Sequence, residues 1–256
     1  MFKKLFLTFI LVASLFAVAG CEAEPVPTEG TGYGLVHAHY VGVVNVTVGV
    51  DGKLSAIDID EYFLPYSWAK VLVAYAANED VLTVVGSRGT SYYAKYIKIG
   101  TKLFTGEVLG TGTAMSINYK ADGVANIETW MKQEAAAKWY VEQVDADAFF
   151  IATATGTQHA TYVKGVADTS TAVSMLKSTS GYWTGASYPL GWTGNMTAFK
   201  TALIGQDLTQ VYMCTRDTAA VAGSQFWTIN GIVSGATFSD MPDYLEVSIR
   251  AFRNAK

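Results

Sequence analysis

The chain has 256 residues, of which 50% are hydrophobic and 16% are charged, and its formal net charge is −4. This length and apolar content are sufficient for a substantial hydrophobic core in a single domain. The acidic balance, together with the lack of any basic cluster in the sequence, argues against nucleic acid as a partner.

The first 20 residues have the features of an export signal. Lys3 and Lys4 form a charged start, and residues 5–18 are an apolar run too short to span a bilayer as a stable helix. The run ends in Val-Ala-Gly-Cys at Cys21, which resembles a bacterial lipobox, and prolines and charges follow at once. The pattern predicts a lipoprotein signal peptide over residues 1–20 and an acylated Cys21. The alternative is a conventional signal peptide in which Cys21 is incidental.

Acylation of Cys21 would hold the mature protein in the lipid bilayer, on the outer face of the bacterial cytoplasmic membrane, without a transmembrane helix. The only other cysteine is Cys214, so no internal disulfide is expected; Cys214 lies in an apolar run and is predicted to be buried. Residues 21–32 contain Pro25, Pro27 and two glycines, which predicts a flexible tether. The folded domain is predicted over residues 33–256.

The domain opens with a predicted hairpin. Residues 35–48 are expected to form one long strand, Asp51 and Gly52 lie in the turn, and residues 54–61 alternate as a half-buried strand does. His37 and His39 are then expected on one face of the first strand. Such a pair holds zinc or copper if a third ligand converges. The sequence has only one other histidine, so an exposed pair, or one beside a cofactor, is favoured over a metal site.

The middle of the chain alternates between strand and helix patterns, and Asn126 is predicted to cap the longest helix. Helices are predicted over residues 65–77, 127–144, 169–177 and 195–204, and strands over residues 81–85, 92–99, 102–109, 114–119, 149–155, 159–166 and 209–215. A last helix is predicted from Ser239 or Asp240, with Leu245, Ile249 and Phe252 on its buried face. The predicted class is α+β, with a mostly antiparallel sheet and several packed helices.

The segment Ser234-Gly235-Ala236-Thr237 lies between an apolar run and this last helix. Thr237 offers a hydroxyl group, and the small residues Gly235 and Ala236 let a phosphate donor and an enzyme approach the backbone. The turn that follows is expected to present free N–H groups and the positive end of a helix to a phosphate. The same residues also suit an ordinary strand-to-helix turn, which is the alternative interpretation.

The segment resembles the attachment motif of the FMN-binding (flavinylated) domain family, in which FMN is esterified through its phosphate to the Thr. The opening hairpin resembles that of the same family. The family usually carries an Asp three residues before the Ser, where this chain has Gly231. The resemblance implies an FMN-binding-like domain with a large middle insertion. In it, Thr237 would hold FMN, and Ser234, Gly235 and Ala236 would form the phosphate turn.

The resemblance also implies an electron carrier more than an enzyme with its own substrate. Its partners would be a flavin transferase, which attaches the FMN, and a membrane redox complex. The flavin ring is expected near Tyr182, Trp183 or Trp192, in a stretch (residues 181–194) that repeats Trp-Thr-Gly. That stretch equally suits a packed surface loop.

A non-redox surface lipoprotein is the alternative function, with a glycan or small solute bound by the same Trp/Tyr-rich stretch. A hydrolase has no support, because the sequence lacks Gly-x-Ser-x-Gly, His-Glu-x-x-His and P-loop motifs.

Overall fold

The computed structural model describes residues 24–164, 174–181, 183, 190–211, 213–219 and 225–256. The predicted signal peptide and Cys21 lie outside these residues, as do Tyr182 and most of the predicted helix at 169–177. Within the described part, antiparallel strands pack against helices, which confirms the predicted α+β class with a mostly antiparallel sheet.

The helices of the described residues are short except for three. They are α1 (Pro65–Trp68), α2 (Ile127–Trp130), α3 (Glu134–Asp145), α4 (Lys177–Ser180), α5 (Gly191–Leu203) and α6 (Met241–Asn254), with 3₁₀ turns at Val73–Tyr75 and Leu208–Gln210. The strands are β1 (Thr28–Val36), β2 (Tyr40–Val48), β3 (Leu54–Phe63), β4 (Val81–Gly86), β5 (Gly89–Ala94), β6 (Tyr96–Ile99), β7 (Lys102–Leu109), β8 (Ser116–Lys120), β9 (Phe149–Ile151), β10 (Cys214–Arg216), β11 (Trp227–Ile229) and β12 (Ile232–Val233).

The strands form small sheets in which most paired strands are neighbours in sequence. One sheet has the order β1-β2-β3, a second β8-β7-β6-β9 and a third β10-β11-β12, while β4 pairs with β5. All these pairings are antiparallel. β9 joins the second sheet after the α2–α3 region, and α3 packs against both β1 and β6. The helix therefore connects the opening sheet to the second sheet.

The opening hairpin differs from the prediction in two ways. β1 begins at Thr28, so residues 28–32 of the predicted tether belong to the fold. Residues 37–39 form a turn, and the run predicted as one strand over 35–48 is therefore two strands. His37 and Ala38 have φ angles of 49° and 55°, a left-handed conformation for which the sequence offers no glycine signal. The predicted same-face histidine pair is wrong, because both rings project from the turn.

The observed helix boundaries also differ from the predicted ones where backbone turns interrupt an apolar pattern. The helix predicted over 65–77 ends at Trp68, and that predicted over 127–144 is divided into α2 and α3. Asn126 caps α2 as expected, since its side chain accepts a hydrogen bond from the Thr129 N–H at 2.7 Å. The helix predicted over 195–204 begins earlier, at Gly191, and so includes part of the predicted aromatic loop.

Several predicted strands are shorter or absent. The strand predicted over 92–99 is broken at Lys95 into β5 and β6, and residues 159–164 are not a strand. The strand predicted over 209–215 is a 3₁₀ turn followed by β10.

Helix α6 lies across the opening sheet at very close range. A Cβ atom added to Gly32 would lie 2.4 Å from the Val247 carbonyl oxygen, and one added to Gly30 would lie 2.2 Å from that of Ala251. Glycines on one face of β1 therefore let the helix backbone approach the strand backbone. The buried face of α6 includes Leu245 and Phe252, as its 3.6-residue periodicity predicts. This packing fixes the N-terminus of α6, which directly follows the Ser-Gly-Ala-Thr segment.

Candidate functional site

A hairpin leads into the Ser-Gly-Ala-Thr segment. Strands β11 and β12 pair with Ile229 opposite Ile232, so Asn230 and Gly231 form a two-residue loop. Their φ angles are 47° and 84°, as a type I′ turn requires. Gly231 is thus explained by the turn conformation, at the position where the FMN-binding family usually has an Asp.

The first three residues of the Ser-Gly-Ala-Thr segment form a turn that local hydrogen bonds hold in place. Ser234 is buried, and its hydroxyl accepts a hydrogen bond from the Ala236 N–H at 3.1 Å. Gly235 has φ of 73°, which a residue with a side chain adopts only with strain. The Ala236 carbonyl accepts from the Trp227 N–H at 3.3 Å, and Ala236 itself is fully buried. The segment is therefore a defined turn.

Asn195, one turn into α5, holds the end of the segment. Its Oδ1 accepts hydrogen bonds from the Thr237 N–H at 2.7 Å, from the Phe238 N–H at 3.3 Å and from Thr237 Oγ1 at 3.3 Å. Its Nδ2 donates to the Gly191 carbonyl at 2.8 Å, and the side chain is 1% exposed. Nothing in the sequence signals this contact, because the two partners are 42 residues apart.

These bonds contradict the expectation of free backbone N–H groups for a phosphate. The N–H groups of Ala236, Thr237 and Phe238 all have partners within the protein. The N-terminus of α6 also carries carboxylates, with Asp240 at the N-cap position and Asp243 in the first turn. Burial raises the pKa of Asp243 above its ordinary value. A phosphate would therefore meet neither open amides nor a positively charged helix start.

Thr237 carries the one side-chain hydroxyl of the segment that does not belong to a buried residue. The residue is half-buried, and the hydrogen bond of its Oγ1 to Asn195 is long. On the same residue, the carbonyl oxygen accepts from Arg216 Nη2 at 3.0 Å. Arg216 also donates from Nε to the Gln225 carbonyl and lies over the Trp227 ring at 5.8 Å. A positive charge is thus held beside Thr237.

The histidines of the first turn contact different helices. His37 Nδ1 bonds the Asp240 carboxylate, and its backbone N–H donates to Asp243 Oδ2 at 3.1 Å. His39 Nδ1 lies 3.2 Å from Glu128 Oε1 in α2. Among the described residues no group of three or more His, Cys, Asp or Glu side chains is arranged to hold a metal ion.

The aromatic stretch is only partly where the sequence predicts it. Trp192 lies in α5, is 7% exposed, and donates from Nε1 to Glu61 Oε1 at 2.5 Å. Its ring is therefore core, and the expectation that a flavin or sugar stacks on Trp192 is wrong. Trp183 is half-buried with φ of 58°, while Tyr182 lies outside the described residues.

A buried charged cluster next to Trp192 was not predicted. Glu61 is fully buried and bonds Lys177 Nζ at 2.8 Å and the Tyr244 hydroxyl at 2.8 Å, in addition to Trp192. The Lys177 ammonium lies 3.8 Å from the centre of the Tyr40 ring. Burial lowers the pKa of Lys177, and the Glu61 carboxylate opposes this shift. The cluster therefore joins β3, α4, α5 and α6.

Cys214 is half-buried in β10, where burial raises the pKa of its thiol.

No helix in the described part of the chain is both long and apolar enough to cross a membrane. Comparisons of the chain with protein-family models, with curated proteins and with solved structures find no match.

Proposed function

We propose that this protein is a lipid-anchored, extracytoplasmic electron carrier that holds FMN as a phosphate ester of Thr237. The observation that carries the proposal is the half-buried Thr237 hydroxyl at the end of a rigid turn. Asn195 holds the Thr237 backbone, and Arg216 supplies a positive charge on the same residue. A phosphoryl group attached there would be neutralised in part by the guanidinium.

The same geometry favours covalent attachment over simple binding. The amides of the turn are occupied by Ser234 and Asn195, and Asp240 and Asp243 repel a phosphate at the helix start. Without amides to bind its phosphate, free FMN would be held weakly. An ester bond needs only the hydroxyl and room for a transferase. Among the described residues, a Cβ added to Gly235 would contact Ala198 Cβ at 4.0 Å, so the glycine side of the turn is not tightly packed.

The attachment step is a phosphoryl transfer from a flavin nucleotide to the Thr237 hydroxyl. Thr237 Oγ1 forms a bond to the phosphorus of a flavin nucleotide held by a transferase, and a phosphoanhydride bond in that nucleotide breaks. The hydroxyl proton leaves by way of the solvent, and the displaced nucleotide takes the electron pair of the broken bond. The protein gains FMN minus water. Bound flavin supplies the electron chemistry, while the chain supplies the position and the tether.

The electron-carrier role rests on the predicted anchor at Cys21 and on the resemblance of the segment to flavinylated proteins. A tethered domain with a covalent flavin keeps its cofactor outside the membrane, where a dissociated flavin would be lost. Its electron donor or acceptor would be a membrane redox complex reached by diffusion of the tethered domain.

The test is flavinylation of the full chain, purified in mild detergent, by a flavin transferase with a flavin dinucleotide as donor. Denaturing gels scanned for flavin fluorescence detect the ester. We expect fluorescence in the wild type and in Thr237→Ser, which keeps a hydroxyl, but not in Thr237→Ala. Ser239→Ala is the matched control, because Ser239 is an exposed hydroxyl two residues away, and it should label fully. An unlabelled wild type, or a labelled Thr237→Ala, refutes the proposal.

The alternative is a non-redox lipoprotein that binds a glycan or small solute with residues 181–194. Trp192 is buried and cannot contribute its ring to such a site. A protein that stays colourless with the transferase would favour it.

A further inference from the structure

A polar cavity of about 800 Å³ lies at the end of the second sheet, and none of its lining residues belongs to the Ser-Gly-Ala-Thr segment or its contacts. Its walls come from residues 77–80, from Lys95 and Tyr96 at the start of β6, and from the turns after β9 up to Tyr162. This volume is in the range of small-molecule sites. We propose that the cavity binds a neutral saccharide.

The wall is built from an ordered aromatic stack. The rings of His159 and Tyr162 are parallel with centroids 3.8 Å apart, and Tyr75 packs on Tyr162 at 4.9 Å. Asp80 holds both rings, because Oδ2 accepts from His159 Nε2 at 3.0 Å and Oδ1 accepts from the Tyr162 hydroxyl at 3.1 Å. Asn78 also donates to the Tyr162 hydroxyl. Tyr162 is 4% exposed, so the wall is part of the core and not a loose surface depression.

Backbone hydrogen bonds join the three parts of the wall. The Lys95 N–H donates to the Asp80 carbonyl at 2.7 Å, and the Ala152 N–H donates to the Tyr96 carbonyl at 2.9 Å. The turn beyond β9 is closed by the bond from the Thr153 N–H to the Thr157 carbonyl at 2.8 Å. The site is therefore formed before a ligand arrives, which lowers the entropic cost of binding.

The protonation of His159 is fixed by its contacts. Its Nδ1 accepts from the backbone N–H groups of Thr161 and Tyr162, both at 3.1 Å, so this nitrogen carries no proton. The proton is on Nε2 and is donated to Asp80. His159 is thus a neutral, planar wall with neither nitrogen open to a metal or to a reacting group.

The charge of the lining selects against anions. Glu79 and Asp80 contribute two negative charges, Lys95 contributes one positive charge, and His159 is neutral. A phosphate, nucleotide or carboxylate would meet a net negative wall. A neutral ligand with many hydroxyl groups avoids this repulsion and can donate and accept at the same time.

The remaining groups match such a ligand. The Lys95 ammonium lies 5.6 Å from the centre of the Tyr96 ring and has no carboxylate partner among the described residues. The side chains of Glu79, Thr161 and Tyr96 likewise make no hydrogen bond within the described part of the chain. Together they offer donors and acceptors around an aromatic ring, and the C–H face of a sugar stacks on such rings. The cavity is open to solvent and large enough for a short chain of sugar units.

The experiment screens the full chain in detergent against an array of neutral oligosaccharides of glucose, galactose, mannose and N-acetylglucosamine. The same protein is tested against inorganic phosphate, glucuronate and spermidine by titration calorimetry. We expect one or more neutral oligosaccharides to bind, and the three charged probes not to bind. No binding on the array, or tighter binding of a charged probe, overturns the proposal.

Variants locate the bound saccharide. Tyr96→Ala and Lys95→Ala should each weaken binding by about tenfold, as expected when a stacking ring or a charged hydrogen-bond donor is lost. The matched controls are Tyr92→Ala and Lys98→Ala, which change similarly half-buried residues outside the cavity and should bind as the wild type does. Circular dichroism checks that each variant is folded. Unchanged binding in both cavity variants would place the sugar elsewhere and refute this site.

Discussion

Removal of the Lys177 charge should strongly destabilise the fold, because it would leave the fully buried Glu61 carboxyl group without its charged partner. Lys177→Met keeps an unbranched apolar chain against the Tyr40 ring but removes the partner 2.8 Å from Glu61 Oε2. The two remaining donors to Glu61, from Trp192 and Tyr244, are neutral. Breaking a buried ion pair in this way costs about 3–5 kcal/mol. Single domains have unfolding free energies of about 5–15 kcal/mol, so a large share of the stability would be lost.

The assay is equilibrium unfolding of the full chain in urea, followed by tryptophan fluorescence and by circular dichroism. Lys200→Met is the matched control, because Lys200 pairs at 3.3 Å with Asp58, whose side chain is 77% exposed, and exposed pairs contribute about 0–1 kcal/mol. The double variant Glu61→Gln/Lys177→Met removes both charges and should be more stable than Lys177→Met by about 1–3 kcal/mol. A cost below about 1 kcal/mol for Lys177→Met, or a double variant less stable than it, would show that the pair is not buried as described.

Three other predictions concern packing, the Thr237 turn and alkaline pH. Gly32→Ala should cost about 1–3 kcal/mol in urea unfolding, because its Cβ would lie 2.4 Å from the Val247 carbonyl oxygen; in Gly86→Ala the nearest atom is 3.7 Å away, and equal costs would contradict the close approach of α6. Asn195→Ala should cost about 1–3 kcal/mol, since it leaves the Thr237 and Phe238 N–H groups without their acceptor, and should reduce flavinylation; full labelling at unchanged stability would exclude this role. Burial raises the pKa of several tyrosines, so the folded chain holds these protons more tightly than the unfolded chain does. Their contribution to stability is complete below pH 10 and is lost as pH rises further. The urea midpoint should therefore be lower at pH 11 than at pH 9, and an equal midpoint would contradict the burial of Tyr119, Tyr140 and Tyr244.

Local patterns predicted the parts of the fold that local physics determines. The strand β7 has the predicted bounds, Asn126 caps α2, and α6 buries the face that its periodicity indicates. Each depends on residues within a few positions of one another, where side-chain spacing and capping are decisive. The fold class follows from such segments, and it was predicted correctly.

The errors arise where a tertiary contact overrides the local pattern. His37 and Ala38 adopt left-handed turn conformations without a glycine, and His37 is held there by Asp240 and Asp243 from the other end of the chain. Trp192 was placed in a loop because glycines flank it, but its bond to Glu61 and its burial favour the helix. Neither contact is visible as a spacing in the sequence.

The sequence indicated where the Ser-Gly-Ala-Thr segment lies but not the residues that support it. The position of Thr237 between a strand and a helix follows from the sequence, and the structure has that order. Its supports were missed, because Asn195 and Arg216 approach from other parts of the chain, 42 and 21 residues away. The expected backbone phosphate site is absent for the same reason: Asn195 occupies the amides that the turn would otherwise offer.

The ester at Thr237 is tested most directly by fragmentation mass spectrometry of the peptide that contains this residue. The full chain would be isolated after expression with a flavin transferase, digested and sequenced in the mass spectrometer. We expect a gain of one FMN minus one water, localised to Thr237. An unmodified peptide in a protein that received flavin elsewhere, or no flavin at all, would contradict it.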